Sequence, residues 1–210
     1  MSATRRHFLA AASLFPLASL LFSPLAQAQQ GKTYAVITRP QPKDVAGKIE
    51  VIEFFHYGCP HCRNFNPFVR QWAAKAPADV SFRKVPTPWS PPLVNFARLY
   101  YTLEATGDLA RLDEAAFALA QDARKYDTPS MEAWYVQQGG NVEKFKAAFN
   151  AFGVQNKVQA AQQLTQKMGI DSVPMLIVEG RYHVLGNSFE EQIANLDALI
   201  AELRKAGGKK

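Results

Sequence analysis

The period of the apolar positions changes repeatedly along the chain, and each change predicts a different kind of element. Lys32 to Arg39 alternates weakly and is rich in β-branched residues, which predicts a short edge strand; Pro40, Pro42 and Gly47 supply the turn after it. Ile49 to Phe55 is nearly continuous apolar sequence, the pattern of a strand buried on both faces. A helical period then takes over. Phe65, Phe68, Val69 and Trp72 share one face of a helix opened at Cys59, with Pro60 in its first turn, where a missing N–H costs nothing. Val80 to Val85 reads as the next strand. Strand, helix and strand within about 37 residues make one parallel crossover unit.

Beyond that unit the pattern is helical for a long way. Pro86, Pro88, Pro91 and Pro92 break the chain around Trp89, and from Val94 to Met168 apolar positions recur only at helical spacing. Phe96, Leu99, Tyr100 and Leu103 lie on one face of a helix ending near Gly107. A second helix covers Leu109 to Gln121 with Asp108 as its N-cap, and a third runs from Ser130 to Gln138, stopped by Gly139-Gly140. Asn141 caps a fourth carrying Val142, Phe145 and Phe149, and Val154 to Met168 is the fifth. These aromatic stripes predict core rather than a ligand site. Strand character returns at Met175 to Val178 and Tyr182 to Leu185, joined as a hairpin by the tight turn Glu179-Gly180-Arg181. An amphipathic helix, Phe189 to Leu203, closes the pattern. The order predicts one α/β domain interrupted by an all-helical segment.

The first 28 residues stand outside this scheme. Arg5 and Arg6 make a basic front, Phe8 to Leu25 is almost wholly apolar, and Ala26-Gln27-Ala28 has the small-x-small form of a signal-peptidase site. This reads as an export signal cleaved near Ala28-Gln29. Pro16 and Pro24 interrupt the run and argue against a retained membrane anchor. Thr4-Arg5-Arg6-His7-Phe8-Leu9 also resembles the twin-arginine motif, so either export route fits. The segment carries two arginines and no acid, so its removal lowers the formal net charge from +6 to +4. Basic residues are spread along the chain, apart from a short cluster at Arg204-Lys205 and Lys209-Lys210; so modest a surplus implies no nucleic-acid partner.

Cysteine usage changes the picture most. Cys59 and Cys62 are the only cysteines in 210 residues. Exported proteins stapled by disulfides usually have several, and a loop this short constrains little of the unfolded chain. The pair therefore points to chemistry, and a Cys-x-x-Cys at a strand-to-helix junction is a thioredoxin-like redox motif. An ordinary thiol is only a few per cent thiolate at neutral pH. At Cys59 the unpaired N–H groups and the positive end of the helix dipole favour the anion. Cys62, one turn on and facing inward, is placed to attack a mixed disulfide. Cys59 is thus the expected nucleophile and Cys62 the resolving thiol, with His61 adding positive charge beside the sulfur. The rival readings are a plain disulfide or two ligands of a metal; a zinc site needs four ligands, and His56, His61 and His183 are the candidates to join.

Phe54-Phe55, Cys59-Pro60-His61-Cys62 and Ser172-Val173-Pro174 together resemble the DsbA family of thiol:disulfide oxidoreductases. The resemblance covers nearly all of the chain after the signal, and its most specific parts are the Cys-Pro-His-Cys tetrad and the Val-Pro pair before a strand. It implies a thioredoxin fold with an inserted all-helical domain: residues 29–90 and 169–210 the thioredoxin-like part, 91–168 the insertion, 1–28 the signal. It implies further that Pro174 is cis and lies against the cysteines, with Val173 offering its backbone to an extended peptide as an added strand. Glu53, inside the buried strand, is expected to be desolvated, its carboxyl pushed up unless a cation answers it. Lys84 matches the family's buried lysine and is the expected partner, the pair moving a proton to or from Cys62. His56, Tyr57 and Gly58 sit where members of the family vary, so the resemblance fixes the reaction and leaves the contour of the substrate groove open.

The expected function is a periplasmic thiol oxidase that passes its Cys59–Cys62 disulfide to newly exported proteins, Pro60-His61 placing it at the oxidising end of the superfamily. The resemblance implies reoxidation by a DsbB-like membrane quinone reductase; no bound organic cofactor is expected beyond the dithiol, and nothing in the sequence suggests more than a monomer. A disulfide isomerase of the DsbC type would carry an N-terminal dimerisation domain, and about 20 residues between Gln29 and Ile49 cannot hold one. A non-catalytic holdase or a metal carrier using the same groove is the rival from another class.

Overall fold

The computed structural model describes residues 32–207. The expected export signal, its expected cleavage site and the tip of the basic tail lie outside them. In chain order the elements are β1 (Tyr34–Val36), β2 (Ile49–Phe55), α1 (Pro60–Ala73), β3 (Val80–Pro86), α2 (Pro91–Thr106), α3 (Leu109–Gln121), α4 (Thr128–Gln137), α5 (Val142–Phe149), α6 (Phe152–Met168), β4 (Met175–Val178), β5 (Tyr182–Val184) and α7 (Phe189–Gly207). The strands form one mixed sheet in the order β1-β5-β4-β2-β3. β2 and β3 are parallel, as their crossover through α1 requires, and Glu53 lies opposite Lys84 in that register. β4 runs antiparallel to β2, β5 returns against β4, and β1 pairs with β5 at the edge.

β2 sits inside the sheet and is buried along almost its whole length, the reason its sequence lacks alternation. Two apolar clusters meet on it. Val51 joins Phe65, Val69 and Trp72 of α1, Leu176 and Val178 of β4, and Leu196, Leu199 and Ile200 of α7. The Trp72 indole N–H donates to Asp197 at 2.8 Å and ties α1 to α7. Ile52, Phe54 and Phe55 instead join Phe96, Tyr100, Phe117, Met131, Phe145 and Phe149 from the run of helices between β3 and β4. Each such side chain contributes about 1.5–3 kcal/mol on burial, so those helices are held to β2 by their aromatic stripes. Among the described residues no helix is long and apolar enough to cross a membrane.

Several expectations need correction. Pro91 and Pro92 do not lie in a break; they fill the first turn of α2, where no backbone donor is required. α4 starts at Thr128 rather than Ser130 because Asp127 caps it, accepting from the Ser130 N–H at 2.8 Å. α6 starts at Phe152, two residues before the expected Val154. Asp108 precedes α3 as predicted but makes no side-chain cap. Its carboxylate accepts from Arg111 at 2.7 Å and from the Tyr135 hydroxyl, a tertiary partner that a local motif does not reveal. Of the strand expected over Lys32 to Arg39, Tyr34–Val36 forms a strand against β5, with Thr33 and Ile37 adding one backbone hydrogen bond each beside it.

Candidate active site

The buried strand β2 delivers the chain to the start of α1, and Cys59 is the N-cap residue there. Its backbone is extended (φ −94°, ψ 114°), which aims Sγ back over the first turn. The Cys62 N–H donates to that sulfur at 3.2 Å, and Cys59 Sγ lies 3.5 Å from the Val173 carbonyl. Both cysteines are free thiols; Cys59 keeps 6% of its surface exposed and Cys62 none. Of the two sulfur-bearing residues, Cys59 is therefore the one open to a partner from outside. Gln121 of α3 holds the loop from behind, donating to the carbonyls of Tyr57 at 2.7 Å and Cys59 at 3.1 Å.

The two thiols are pushed in opposite directions. The Cys62 thiol, hydrogen-bonding the Cys59 sulfur, does most to bring Cys59 down to about 6 against the opposing effect of burial; the N–H groups of Cys62 and His61 and the charge of His61 add to it. Cys62 is pushed up strongly, first by burial and then by its bond to Cys59. The helix start was expected to dominate at Cys59, yet the largest single contribution comes from the partner thiol.

Behind the sulfurs lies a buried polar cluster. Glu53 is completely buried and neither carboxylate oxygen has a hydrogen-bond partner. Burial pushes its carboxyl up to about 7, with Lys84 opposing and Asp113 and Cys59 reinforcing. Lys84 Nζ lies 3.8 Å from Glu53 Oε2, an ion pair without a hydrogen bond. The expected partnership is therefore only partial. Lys84 donates instead to Asn66 Oδ1 at 2.8 Å and Asp113 Oδ2 at 3.2 Å. Asp113, Asn66 and Gln121 are not singled out by the sequence pattern, and the buried bond of Tyr57 to Asp113 is not foreseen by it. A weak signal exists for Asp113, an acid four residues before Phe117 and beside Leu112 on the buried side of α3. Asn66 likewise stands four residues after Cys62, on the same face of α1.

Pro174 follows a cis peptide bond, as expected. With Val173 and His61 it lines a cleft of about 490 Å³ whose far wall is the turn from Gly186 into α7. A second cleft, about 460 Å³, opens beside Gly58 and Pro60 against Gln121, Arg124 and Tyr126. His56 packs edge-on to Trp89, with 5.7 Å between ring centroids. Tyr57 does not shape a groove at all: it is buried against Phe55, Phe96 and Phe117, and its hydroxyl donates to Asp113 Oδ1 at 2.8 Å. His183 lies on β5, opposite Ala35 and Ile177. Among the described residues no group of three or more His, Cys, Asp or Glu side chains is arranged to hold a metal ion.

A helix-capping cysteine, a buried second cysteine and a cis-proline beside them form a centre suited to thiol–disulfide exchange. A family model described as thioredoxin matches residues 44–198. A thiol:disulfide interchange protein DsbA of Bordetella parapertussis is 39% identical, over 97% of this chain and 99% of that one. The DsbA of Pseudomonas syringae pv. tomato is 35% identical, over 94% of each chain. The crystal structure of Pseudomonas aeruginosa DsbA superposes with a TM-score of 0.80 at 31% identity, covering 85% of this chain and 96% of that one. The chain therefore belongs to the thioredoxin superfamily and, within it, to the DsbA thiol:disulfide oxidoreductases.

Proposed function

We propose that the protein works in the periplasm as an oxidase of newly exported proteins, passing them its Cys59–Cys62 disulfide. The observation that carries this reading is the asymmetry of the two thiols: Cys59 held low by the hydrogen bonds to its sulfur, Cys62 buried and held high. A substrate thiolate attacks Cys59 Sγ, the Cys59–Cys62 bond breaks, and a new disulfide joins Cys59 to the substrate. Cys62 leaves as a buried thiolate, which is costly to leave charged, and takes a proton from Glu53. A second substrate thiolate then attacks the substrate's own sulfur. Cys59 departs as the favoured thiolate, and two electrons have moved from the substrate to the protein. A carboxyl near 7 is present in both forms at neutral pH, so Glu53 suits proton transfer in either direction.

In this reading the cleft beside Val173 and Pro174 takes an extended segment of the substrate, with the Val173 backbone as its hydrogen-bonding edge. His61 lies two residues from Cys59, and its charge favours the Cys59 thiolate. The monomer needs no redox group other than its dithiol, and a DsbB-like quinone reductase of the membrane restores the disulfide. The test is equilibration with glutathione. The pair is expected to be mostly reduced in buffers that leave a thioredoxin-type disulfide intact; a pair still oxidised under strongly reducing conditions overturns the oxidase. Scrambled substrate separates the isomerase, which requires reshuffling to outrun simple dithiol oxidation.

A further inference from the structure

Two buried carboxylates compete for one cation behind the cysteines. Lys84 of β3 directs its hydrogen bonds to Asn66 of α1 and Asp113 of α3, and its ammonium lies 4.2 Å from the centre of the Phe55 ring. Asp113 is buried too, and both of its oxygens are used: Oδ2 accepts from Lys84 at 3.2 Å and Oδ1 from the Tyr57 hydroxyl at 2.8 Å. Glu53, 3.8 Å from the same ammonium, has no donor on either oxygen. One lysine offsets one negative charge. The carboxylate with two donors is solvated in its charged form, and the one with none is favoured neutral.

We infer that Asp113 is a positioning residue for thiol–disulfide exchange: it anchors Lys84 and the Tyr57 hydroxyl away from Glu53, and so leaves Glu53 to carry the proton that Cys62 exchanges. The inference rests on the proposed role of Glu53 and extends it, because it makes a side chain of the inserted helices responsible for the protonation of a residue in the central strand. The charged and titratable groups around Glu53 are Lys84 from β3, Asp113 from α3, Cys59 and Cys62 from the start of α1, Tyr57 after β2 and Tyr100 from α2. Only Lys84 is a cation among them, so how it is shared decides the outcome. Replacing Asp113 with a neutral side chain releases the ammonium toward Glu53 and removes a like charge, and both changes favour ionised Glu53.

The experiment is the pH profile of disulfide reduction by a small dithiol of known acidity, followed by rapid acid quench. In the unaltered protein the profile carries a limb near neutral pH from Glu53, and Glu53→Gln abolishes it. Asp113→Asn is expected to move that limb down by about one pH unit, a tenfold change in the ratio of acid to carboxylate at fixed pH; D113E returns it toward its original position. A limb that survives in Glu53→Gln sinks the Glu53 reading and the inference with it. A limb lost in Glu53→Gln but unmoved in Asp113→Asn sinks the inference alone. Should Asp113→Asn fail to fold, Asp113→Ser, neutral and smaller with Lys84 kept, decides: the limb moves down as for Asp113→Asn, and a limb that stays or rises overturns the proposal.

Discussion

The titration of Cys59 determines how the reduction potential varies with pH. Hydrogen bonds to its sulfur bring the thiol from 9.0 to about 6, a difference of about 4 kcal/mol in affinity for the proton. Only part of this acts at neutral pH, because a thiol left at its ordinary value would be protonated there at no cost. At pH 7 the reduced form gains about 1.4 kcal/mol over one with an ordinary thiol, or about 30 mV for two electrons. The sign follows from the depressed value: the stabilisation is complete above about 9, shrinks as the pH falls, and is gone below about 6. The same titration sets the slope. Below about pH 6, reduction takes up two protons and the potential falls by about 59 mV per pH unit; above it, with Cys59 ionised and Cys62 protonated, it takes up one and falls by about 30 mV. Equilibration with glutathione at a series of pH values, paired with the ultraviolet absorbance of the thiolate, measures both. A two-proton slope continuing through neutral pH, or a thiolate midpoint near 8, refutes the reasoning.

Glu53→Gln should stabilise the fold by an amount that grows with pH. The native carboxyl titrates near 7 and the unfolded one near 4.5, so native stability is lost as the pH rises through that window and the gain from substitution reaches about 3 kcal/mol above it. Urea unfolding at pH 5 and pH 8 checks this, and equal gains at both refute it. Tyr57→Phe leaves Asp113 Oδ1 buried without its donor and should cost about 1–3 kcal/mol in the same measurement. Gly180→Ala should cost clearly more than Gly47→Ala. Both glycines have positive φ, about 1 kcal/mol against alanine, but a Cβ at Gly180 would lie 2.1 Å from the Gln41 carbonyl oxygen, while one at Gly47 meets nothing within 4 Å. Equal thermal shifts for the two would show that the hairpin turn yields to the clash.

Local pattern was enough for what depends on near neighbours. Continuous apolar sequence marked β2, helical spacing marked α1 and the helical run, and the junction between them put Cys59 at a helix start with Cys62 one turn behind. The redox centre was therefore legible, and the tetrad with Val173-Pro174 carried the family resemblance. The residues that tune the centre were not legible. Asp113 reaches Tyr57 and Lys84 across 56 and 29 positions, and Gln121 reaches the Tyr57 and Cys59 carbonyls across 64 and 62. Periodicity says that a side chain faces inward, but not which groups it meets there. The same limit hid the tertiary partner of Asp108, which precedes α3 as expected but bonds to Tyr135, and the burial of Tyr57 in the core. Local pattern alone therefore sufficed to place the Cys59–Cys62 motif and to name the fold that presents it. That Lys84 bonds to Asp113 and leaves Glu53 without a donor emerges on folding alone, because a buried charge takes its state from whatever surrounds it, and those neighbours come from distant parts of the chain.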